Sequence, residues 1–150
     1  MLSVIVIALS KPLLIGIYKD QKLIEQIESD AMSSEVLPEL FKDIMARYTI
    51  DNIIYANGPG SFMAIKVSYI FLRTLCIVKN IPLLATDAFY FNDNAPIKAV
   101  AKLYFVKNRD LIETQTLNEA PASTFALPQN IDLNDFSDTS APFYGIGAVG

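Results

Sequence analysis

The residues best suited to chemistry form a short loop: Asn57, Gly58, Pro59, Gly60 and Ser61. Glycine permits positive φ and close approach of another group, while proline fixes the turn and lacks an N–H donor. Ser61 is a suitable N-cap, and the N–H groups at a helix N-terminus can bind an anion. The loop therefore indicates an anion site, although the same composition also occurs in loops that only connect a strand to a helix.

The loop lies between a short strand and a long helix. The run at residues 52–56 is short and contains the β-branched pair Ile53 and Ile54, which is typical of a buried strand. The helical pattern begins at Ser61 and continues to about Val78, and at roughly 100° per residue its apolar side chains fall into two arcs. One arc holds Phe62, Ile65, Tyr69, Leu72 and Cys76, and the wider arc holds Met63, Val67, Ile70, Phe71, Leu75, Ile77 and Val78. Two arcs need two covers: the sheet, and either another part of this chain or a second protein.

A polar seam separates the two arcs. Lys66 and Arg73 lie one above the other along it. Such a pair is typical of a solvated helix surface, and at the edge of an interface it would supply charged contacts. These two residues are therefore the candidates for the charged border of a partner site.

The other elements of the first half predict a mixed sheet with helices. Residues 2–9, 13–18 and 23–28 predict three sequential strands in an antiparallel meander, of which the first is apolar throughout, as in a central strand. A helix follows, with Ser33 or Ser34 as its cap. Its apolar stripe consists of Val36, Leu37, Leu40, Phe41, Ile44, Met45 and Tyr48.

The second half of the chain has fewer predicted helices and strands than the first. Residues 99–106 and 111–116 predict a hairpin, followed by irregular structure as far as Pro142. Residues 143–150 predict a last strand with a Gly-x-Gly-x-x-Gly spacing. We reject a dinucleotide site there, because no helix follows to bind the pyrophosphate.

The composition limits the functions of the chain. With 150 residues and 52% hydrophobic content, it suits one domain or two small lobes with an ample core. Twelve basic residues and a net charge of −4 give no electrostatic footprint for binding nucleic acid unaided. No apolar run reaches the roughly 20 residues of a membrane span, and no secretory signal is present. We therefore expect a cytoplasmic protein without a membrane partner.

Reactive side chains are scarce. The chain has no histidine, which excludes Ser-His and Cys-His pairs and the usual zinc ligands. Cys76 is the single cysteine and lies in an apolar helical stretch, which predicts a buried, unreactive thiol. Asp20, Asp51, Asp87 and Asp93 fall in predicted turns, which favours solvated or capping roles over a metal site.

Residues 57–67, Asn-Gly-Pro-Gly-Ser-Phe-Met-Ala-Ile-Lys-Val, resemble the G-x-G-P-G-S-F-T-G-x-R-x-G segment of the TsaB (YeaZ) family. That family comprises non-catalytic components of the bacterial machinery that makes threonylcarbamoyladenosine in tRNA. The order of elements up to Phe89 is also similar, and Pro82, Leu83 and Thr86 keep the shape of a second family segment, P-V-x-G-V-S-T-L. The resemblance implies an α/β fold of the RNase H-like or actin-like ATPase (ASKHA) type, with an N-terminal lobe at residues 1–94 and a reduced C-terminal lobe at residues 95–150.

One departure from the superfamily pattern bears on catalysis. Ala8-Leu9-Ser10 stands where D-T-S usually ends the first strand. In the related ATPases that acidic residue helps to organise the metal and the phosphates. Its replacement argues against nucleotide hydrolysis by this chain.

The resemblance implies a scaffold subunit that binds and activates TsaD for the modification of adenosine 37 (t6A37) in tRNA. TsaE, an ATPase, would be a further partner, ATP would bind only in the complex with TsaD and TsaE, and tRNA would be contacted only through that complex. Because the two N-lobe helices of the family meet TsaD or another TsaB, we predict a partner interface on them. Its residues are Phe62, Ile65, Lys66, Tyr69, Leu72, Arg73, Cys76, Leu37 and Phe41. Two alternatives stay open: a small nucleotide-binding, phosphotransferase-like enzyme that uses the loop at residues 58–61, and a homodimeric structural protein.

Overall fold

The computed structural model describes residues 1–119 and 124–144 and contains two sheets and two α-helices. The elements in chain order are β1 (Leu2–Ile7), β2 (Leu13–Lys19), β3 (Lys22–Ser29), α1 (Ser33–Arg47), β4 (Asn52–Ala56), α2 (Phe62–Lys79), β5 (Leu83–Thr86), β6 (Ile97–Val100), β7 (Leu103–Asn108) and β8 (Leu111–Thr116). Two short 3₁₀ turns lie at Ala88–Phe91 and Leu133–Asp135. Within the described residues, no helix is both long and apolar enough to cross a membrane.

The larger sheet has five strands in the order β3-β2-β1-β4-β5. The β1–β2 and β2–β3 pairs are antiparallel, which confirms the predicted meander, and β4 and β5 continue the sheet parallel to β1. The predicted mixed sheet is therefore confirmed. Because β1, β4 and β5 are parallel, their carboxyl ends lie at one edge, and the glycine loop follows β4 at that edge.

Both faces of this sheet are covered. Val4 and Val6 face a core that α1 and α2 cover, whereas Ile5 and Ile7 face a second core on the other side. The second core is covered by the 3₁₀ turn after β5, by the smaller sheet and by apolar residues from the segment at residues 124–137. Burial on both faces explains why β1 is apolar throughout rather than alternating.

The start of α1 differs from the expectation. Its N-cap is Met32, which makes no side-chain cap hydrogen bond, and Ser33 and Ser34 lie in the first turn. The predicted serine caps are wrong because the chain enters helical geometry directly after Met32. The predicted apolar stripe is confirmed: Leu37, Phe41 and Ile44 are buried, and Val36, Leu40, Met45 and Tyr48 are partly buried against the same core.

The smaller sheet has the order β6-β7-β8 and is antiparallel. The strand predicted at residues 99–106 is in fact divided between β6 and β7, because Ala101 has a φ of +51° and turns the chain. The β7–β8 hairpin is as predicted.

After β8 the described chain returns to the larger sheet. Leu127 and Ile131 are buried in the second core, and the Tyr18 hydroxyl donates to the Pro128 carbonyl at 2.6 Å. The boundary between lobes near residue 94 stays a prediction. The last strand predicted at residues 143–150 falls mainly on residues 145–150, including all three glycines of its motif, which lie outside the described residues.

Candidate functional site

The glycine loop connects β4 to α2 and is anchored at both ends by its own backbone. The Asn57 N–H donates to the Thr86 carbonyl at 2.9 Å, and the Ser61 N–H donates to the Leu9 carbonyl at 2.9 Å. Ser61 is the N-cap of α2, as predicted, and its hydroxyl accepts from the Ala64 N–H at 3.4 Å. These bonds fix the loop against the ends of β1 and β5.

Gly58 is required by close packing rather than by an open anion cradle. Its φ is +123°, and a Cβ placed there would lie 1.8 Å from the Phe143 carbonyl oxygen. Gly60 also packs closely, because a Cβ there would lie 3.0 Å from the Leu9 Cβ. Gly58 and Pro59 are thus enclosed by the chain itself, whereas Ser61 at the helix start is exposed and lines an open cavity. Anion binding at the loop stays a prediction.

Asn57 is the most connected residue of the loop. Its carbonyl accepts from the Phe143 N–H at 2.7 Å, and its side-chain Nδ2 donates to the Ala141 carbonyl at 3.3 Å. Its Oδ1 is buried without a hydrogen-bond partner among the described residues. Asn57 therefore binds residues more than eighty positions later in the chain, a contact for which the sequence holds no local signal.

The inner face of α2 corrects the predicted partner interface. Ile65 and Leu72 are fully buried, and Cys76 is 3% exposed. Leu37 and Phe41 of α1 are likewise buried. These five side chains pack into the two cores beside the sheet, so they are not available to a partner.

The opposite side of α2 carries apolar side chains that face outward. The outer face of α2, as we name it, comprises Met63, Val67, Ile70, Thr74 and Ile77. Met63, Ile70 and Ile77 are 61%, 54% and 65% exposed. The spacing alternates between four and three residues, as in the seam of a helix that packs on another helix, and Thr74 is the one polar residue in the row. The sequence placed most of these residues in the second arc but assigned the partner to the first.

Charged residues border the outer face on one side. Lys66 and Arg73 are exposed, and helical geometry places both on the side of the outer face away from α1, because Phe71, on the other side, packs against Phe41 at 5.7 Å between ring centroids. The predicted position of Lys66 and Arg73 at an edge of an apolar surface therefore agrees with the structure. Their role in binding stays a prediction.

Phe62 and Tyr69 are partly buried and face away from the outer face. The Phe62 ring packs against the ring of Tyr144 at 4.5 Å between centroids, and the Lys66 ammonium lies 5.9 Å from the Phe62 centroid. Tyr69 packs against Tyr55 at 5.8 Å. Both predicted interface residues therefore have partners within the chain.

A mainly apolar cavity of about 470 Å³ opens at the N-terminal end of the outer face. Leu13, Met32, Met63 and Val67 line it, with Lys11 among the polar lining residues. It lies between the starts of α1 and α2 and shares Met63 and Val67 with the outer face. The outer face and this cavity therefore form one continuous apolar surface.

A polar crevice lies where the two sheets meet. One Asp87 oxygen accepts from the Phe89 N–H at 3.0 Å and the other from the Lys107 ammonium. Burial and the neighbouring Asp135 carboxylate raise the pKa of Tyr90 to about 12. Asp87 thus caps a 3₁₀ turn, as expected for a turn aspartate, and ties the smaller sheet to the larger one. In the described ranges, no three His, Cys, Asp or Glu side chains converge as a metal site would require.

Among solved structures, the fold is similar to that of YeaZ from Pseudomonas aeruginosa. The TM-score is 0.57 at 12% identity, and the alignment covers 88% of this chain and 69% of that protein. A second structure, an uncharacterized protein with similarity to peptidase YeaZ from the same organism, gives a TM-score of 0.56 at 12% identity, with the same coverage of 88% and 69%. No protein-family profile and no curated protein sequence matches the chain. The fold is therefore YeaZ-like, in agreement with the resemblance carried by the loop.

Proposed function

We propose that this chain is a non-catalytic, TsaB-like scaffold subunit that binds TsaD and activates it for t6A37 modification of tRNA. The observation that carries the proposal is the outer face of α2, on which the apolar side chains of Met63, Ile70 and Ile77 are more than half exposed. Isolated apolar side chains on a surface are ordinary, but several in one row at helix spacing are typical of an interaction site. The YeaZ-like fold supports the choice of partner.

The strand order supports the finer assignment of the fold. An antiparallel meander followed by two parallel strands, with α1 and α2 on one face, is the arrangement expected of an RNase H-like or actin-like (ASKHA) lobe. In this proposal the smaller sheet and residues 124–144 form the reduced second lobe. The protein acts in the cytoplasm, where tRNA modification takes place.

The proposed mechanism is a coupling between subunits rather than chemistry on this chain. Burial of the outer face against a helix of TsaD stabilises the reactive arrangement of TsaD. The coupling free energy is the difference between the binding free energies of this chain to the reactive and the unreactive arrangements of TsaD. Lys66 and Arg73 at the border favour a partner with acidic residues beside its own seam. The net charge of −4 leaves the binding of tRNA to the other subunits.

Nucleotide binding belongs, in this proposal, to the complex with TsaD and TsaE and not to this chain alone. The close contacts of Gly58 with the Phe143 carbonyl and of Gly60 with Leu9 support this division, because they leave little room beside these two glycines for a phosphate. The same contacts weigh against the phosphotransferase-like alternative.

Self-association is a second candidate, and charge complementarity favours it. The exposed surface of α1 carries Glu35 and Glu39, with Asp43 paired to Arg47 at 3.0 Å, whereas the border of α2 carries Lys66 and Arg73. In a symmetric pair, α1 of one copy would face α2 of the other. Light scattering of the chain alone and after mixing with TsaD separates the homodimer from the heterodimer.

Reconstitution tests the proposal. The complete set of subunits with wild-type chain should form threonylcarbamoyladenosine, whereas omission of the chain or the Ile70→Glu variant should lower the rate at least tenfold. Glu113→Gln, an exposed change on β8 away from both helices, is the matched control and should keep the wild-type rate. Equal rates with and without the chain, or product formed by the chain alone, would contradict a scaffold role.

A further inference from the structure

The segment at residues 137–144, Ser-Asp-Thr-Ser-Ala-Pro-Phe-Tyr, contacts the edge strand β5 and the end of β4; we call it the strap, and we call the surface that binds it the groove. At its start, the Ser137 N–H donates to the Ala85 carbonyl and the Ala85 N–H donates to the Ser137 carbonyl, both at 2.8 Å. This pair of bonds is an antiparallel bridge to the outer edge of β5. The strap therefore begins as an added strand on an edge of the sheet.

The middle of the strap is bound through its carbonyl groups. The Tyr55 hydroxyl donates to the Ser140 carbonyl, and the Asn57 Nδ2 donates to the Ala141 carbonyl at 3.3 Å. Tyr55 is only 1% exposed, and its hydroxyl reaches the groove from inside the protein. A buried donor directed at a main-chain acceptor is costly to leave unpaired, so the groove favours an occupant.

The end of the strap is bound at the glycine loop. The Phe143 N–H donates to the Asn57 carbonyl at 2.7 Å, and the Tyr144 ring packs on Phe62. The missing side chain of Gly58 leaves room for the Phe143 carbonyl. The groove thus recognises five main-chain groups and one terminal aromatic ring, which are the features of an extended-peptide site.

Most of the strap is held without burial of its side chains. Residues 137, 138, 139, 141 and 143 are exposed, and only Ser140 is buried. Segments with few buried apolar contacts open locally at a lower cost than global unfolding. Opening would leave the edge of β5 and the Tyr55 hydroxyl unpaired, and an unpaired strand edge is a template for another strand.

We infer that this groove is an extended-peptide binding site which the chain fills with its own strap, and that its occupant in trans is the strap of a second copy. The second copy fits because the groove and the strap are complementary within one chain, so exchange restores every contact. The inference is independent of the proposed docking on the outer face of α2, which lies on another surface.

A labelled peptide tests the groove. In full-length chain, Ser137→Pro with Phe143→Pro removes the two N–H donors of the strap and frees the groove. Fluorescence anisotropy with a fluorescein-labelled peptide of residues 137–144 should show saturable binding to this strap variant. Binding to wild-type chain should be at least about tenfold weaker, because the tethered strap competes at an effective concentration in the millimolar range.

Two controls address the contacts. A peptide carrying Phe143→Pro should bind several-fold more weakly, and adding Tyr55→Phe to the strap variant should weaken the wild-type peptide by a similar factor. Circular dichroism establishes that each variant is folded, and Tyr55→Phe keeps the buried ring and removes only the hydroxyl. Absence of saturable binding to the folded strap variant would overturn the peptide site.

A mixing experiment tests the occupant. The groove variant, Gly58→Val, has a blocked groove and an intact strap, whereas the strap variant has an intact groove and a weakened strap. Both proteins also carry Ile70→Glu, which removes association through the outer face of α2. Native mass spectrometry should show a heterodimer in the mixture and monomers in each sample alone. If Gly58→Val does not fold, Tyr55→Phe replaces it, with a smaller heterodimer fraction expected. Peptide binding without a heterodimer would overturn the second copy as the occupant.

Discussion

Replacing Leu72 and Ile70 by alanine, one at a time, separates the inner face of α2 from its outer face. Leu72 is fully buried between the sheet and the helices, whereas Ile70, two residues earlier, is 54% exposed. A buried Leu→Ala change costs about 2 to 5 kcal/mol, because it removes apolar contacts and leaves a cavity. We take about 3 kcal/mol for Leu72, since the sheet on one side limits relaxation.

The expected shift in melting temperature follows from the length of the chain. For a domain of this size, each kcal/mol lowers Tm by roughly 2 to 4 °C, so Leu72→Ala should lower it by about 6 to 12 °C. Ile70→Ala should change the free energy of unfolding by less than about 0.5 kcal/mol. Urea denaturation of both variants, with equal m-values, measures the two costs. Similar costs at Leu72 and Ile70 would refute the assignment of inner and outer faces.

Three further outcomes are expected from single sites. Gly58→Ala should lower the free energy of unfolding by about 2 to 4 kcal/mol, measured in urea, because its Cβ would meet the Phe143 carbonyl at a φ of +123°; a loss below 0.5 kcal/mol would contradict the close contact. Burial raises the pKa of Cys76 to about 11, so iodoacetamide at pH 8 should label it only in unfolded protein, and rapid native labelling would show an exposed thiol. Burial also raises the pKa of Tyr18 and Tyr55. As the pH rises, the unfolded state therefore loses these protons before the folded state does, and the free energy of unfolding should fall above about pH 10. Equal urea midpoints at pH 8 and pH 11 would contradict this pH dependence.

The elements of the larger sheet are predictable because their signals are local. Strands buried on both faces read as continuous apolar runs, and β1 is such a run. Ser61 is a residue type with a strong capping preference at the point where a helical period begins, and it caps α2. Ser33 and Ser34 carry the same preference, yet Met32 holds the cap position of α1. Residue preference does not fix which residue first adopts helical geometry.

The orientation of α2 could not be predicted from its period. A helical wheel gives the angles between side chains, such as Ile70 and Leu72, but not which direction points to the sheet. Both arcs are apolar, so hydrophobicity does not decide between them. The partner was assigned to the arc of Leu72, which the structure buries.

The contacts of the glycine loop could not be predicted from the sequence either. Gly58 signals a special backbone or a close approach, but the approaching group, the Phe143 carbonyl, lies 85 residues later. Hydrogen bonds to main-chain atoms leave no pattern in side-chain types, so residues 137–142 of the strap are predicted only as irregular structure, and residues 143 and 144 as the start of a last strand. A glycine-rich loop therefore predicts that another group packs closely against its backbone, but it does not identify that group.

The most direct test of the scaffold role is the affinity of this chain for TsaD, measured by isothermal titration calorimetry. Wild-type chain should bind with micromolar or tighter affinity, and Ile70→Glu with Ile77→Glu should weaken binding by at least about 30-fold, because two charges would enter an apolar seam. Glu113→Gln on β8 should bind as wild type does. Equal affinities for wild type and the double variant, or no binding by wild type, would contradict docking through the outer face of α2.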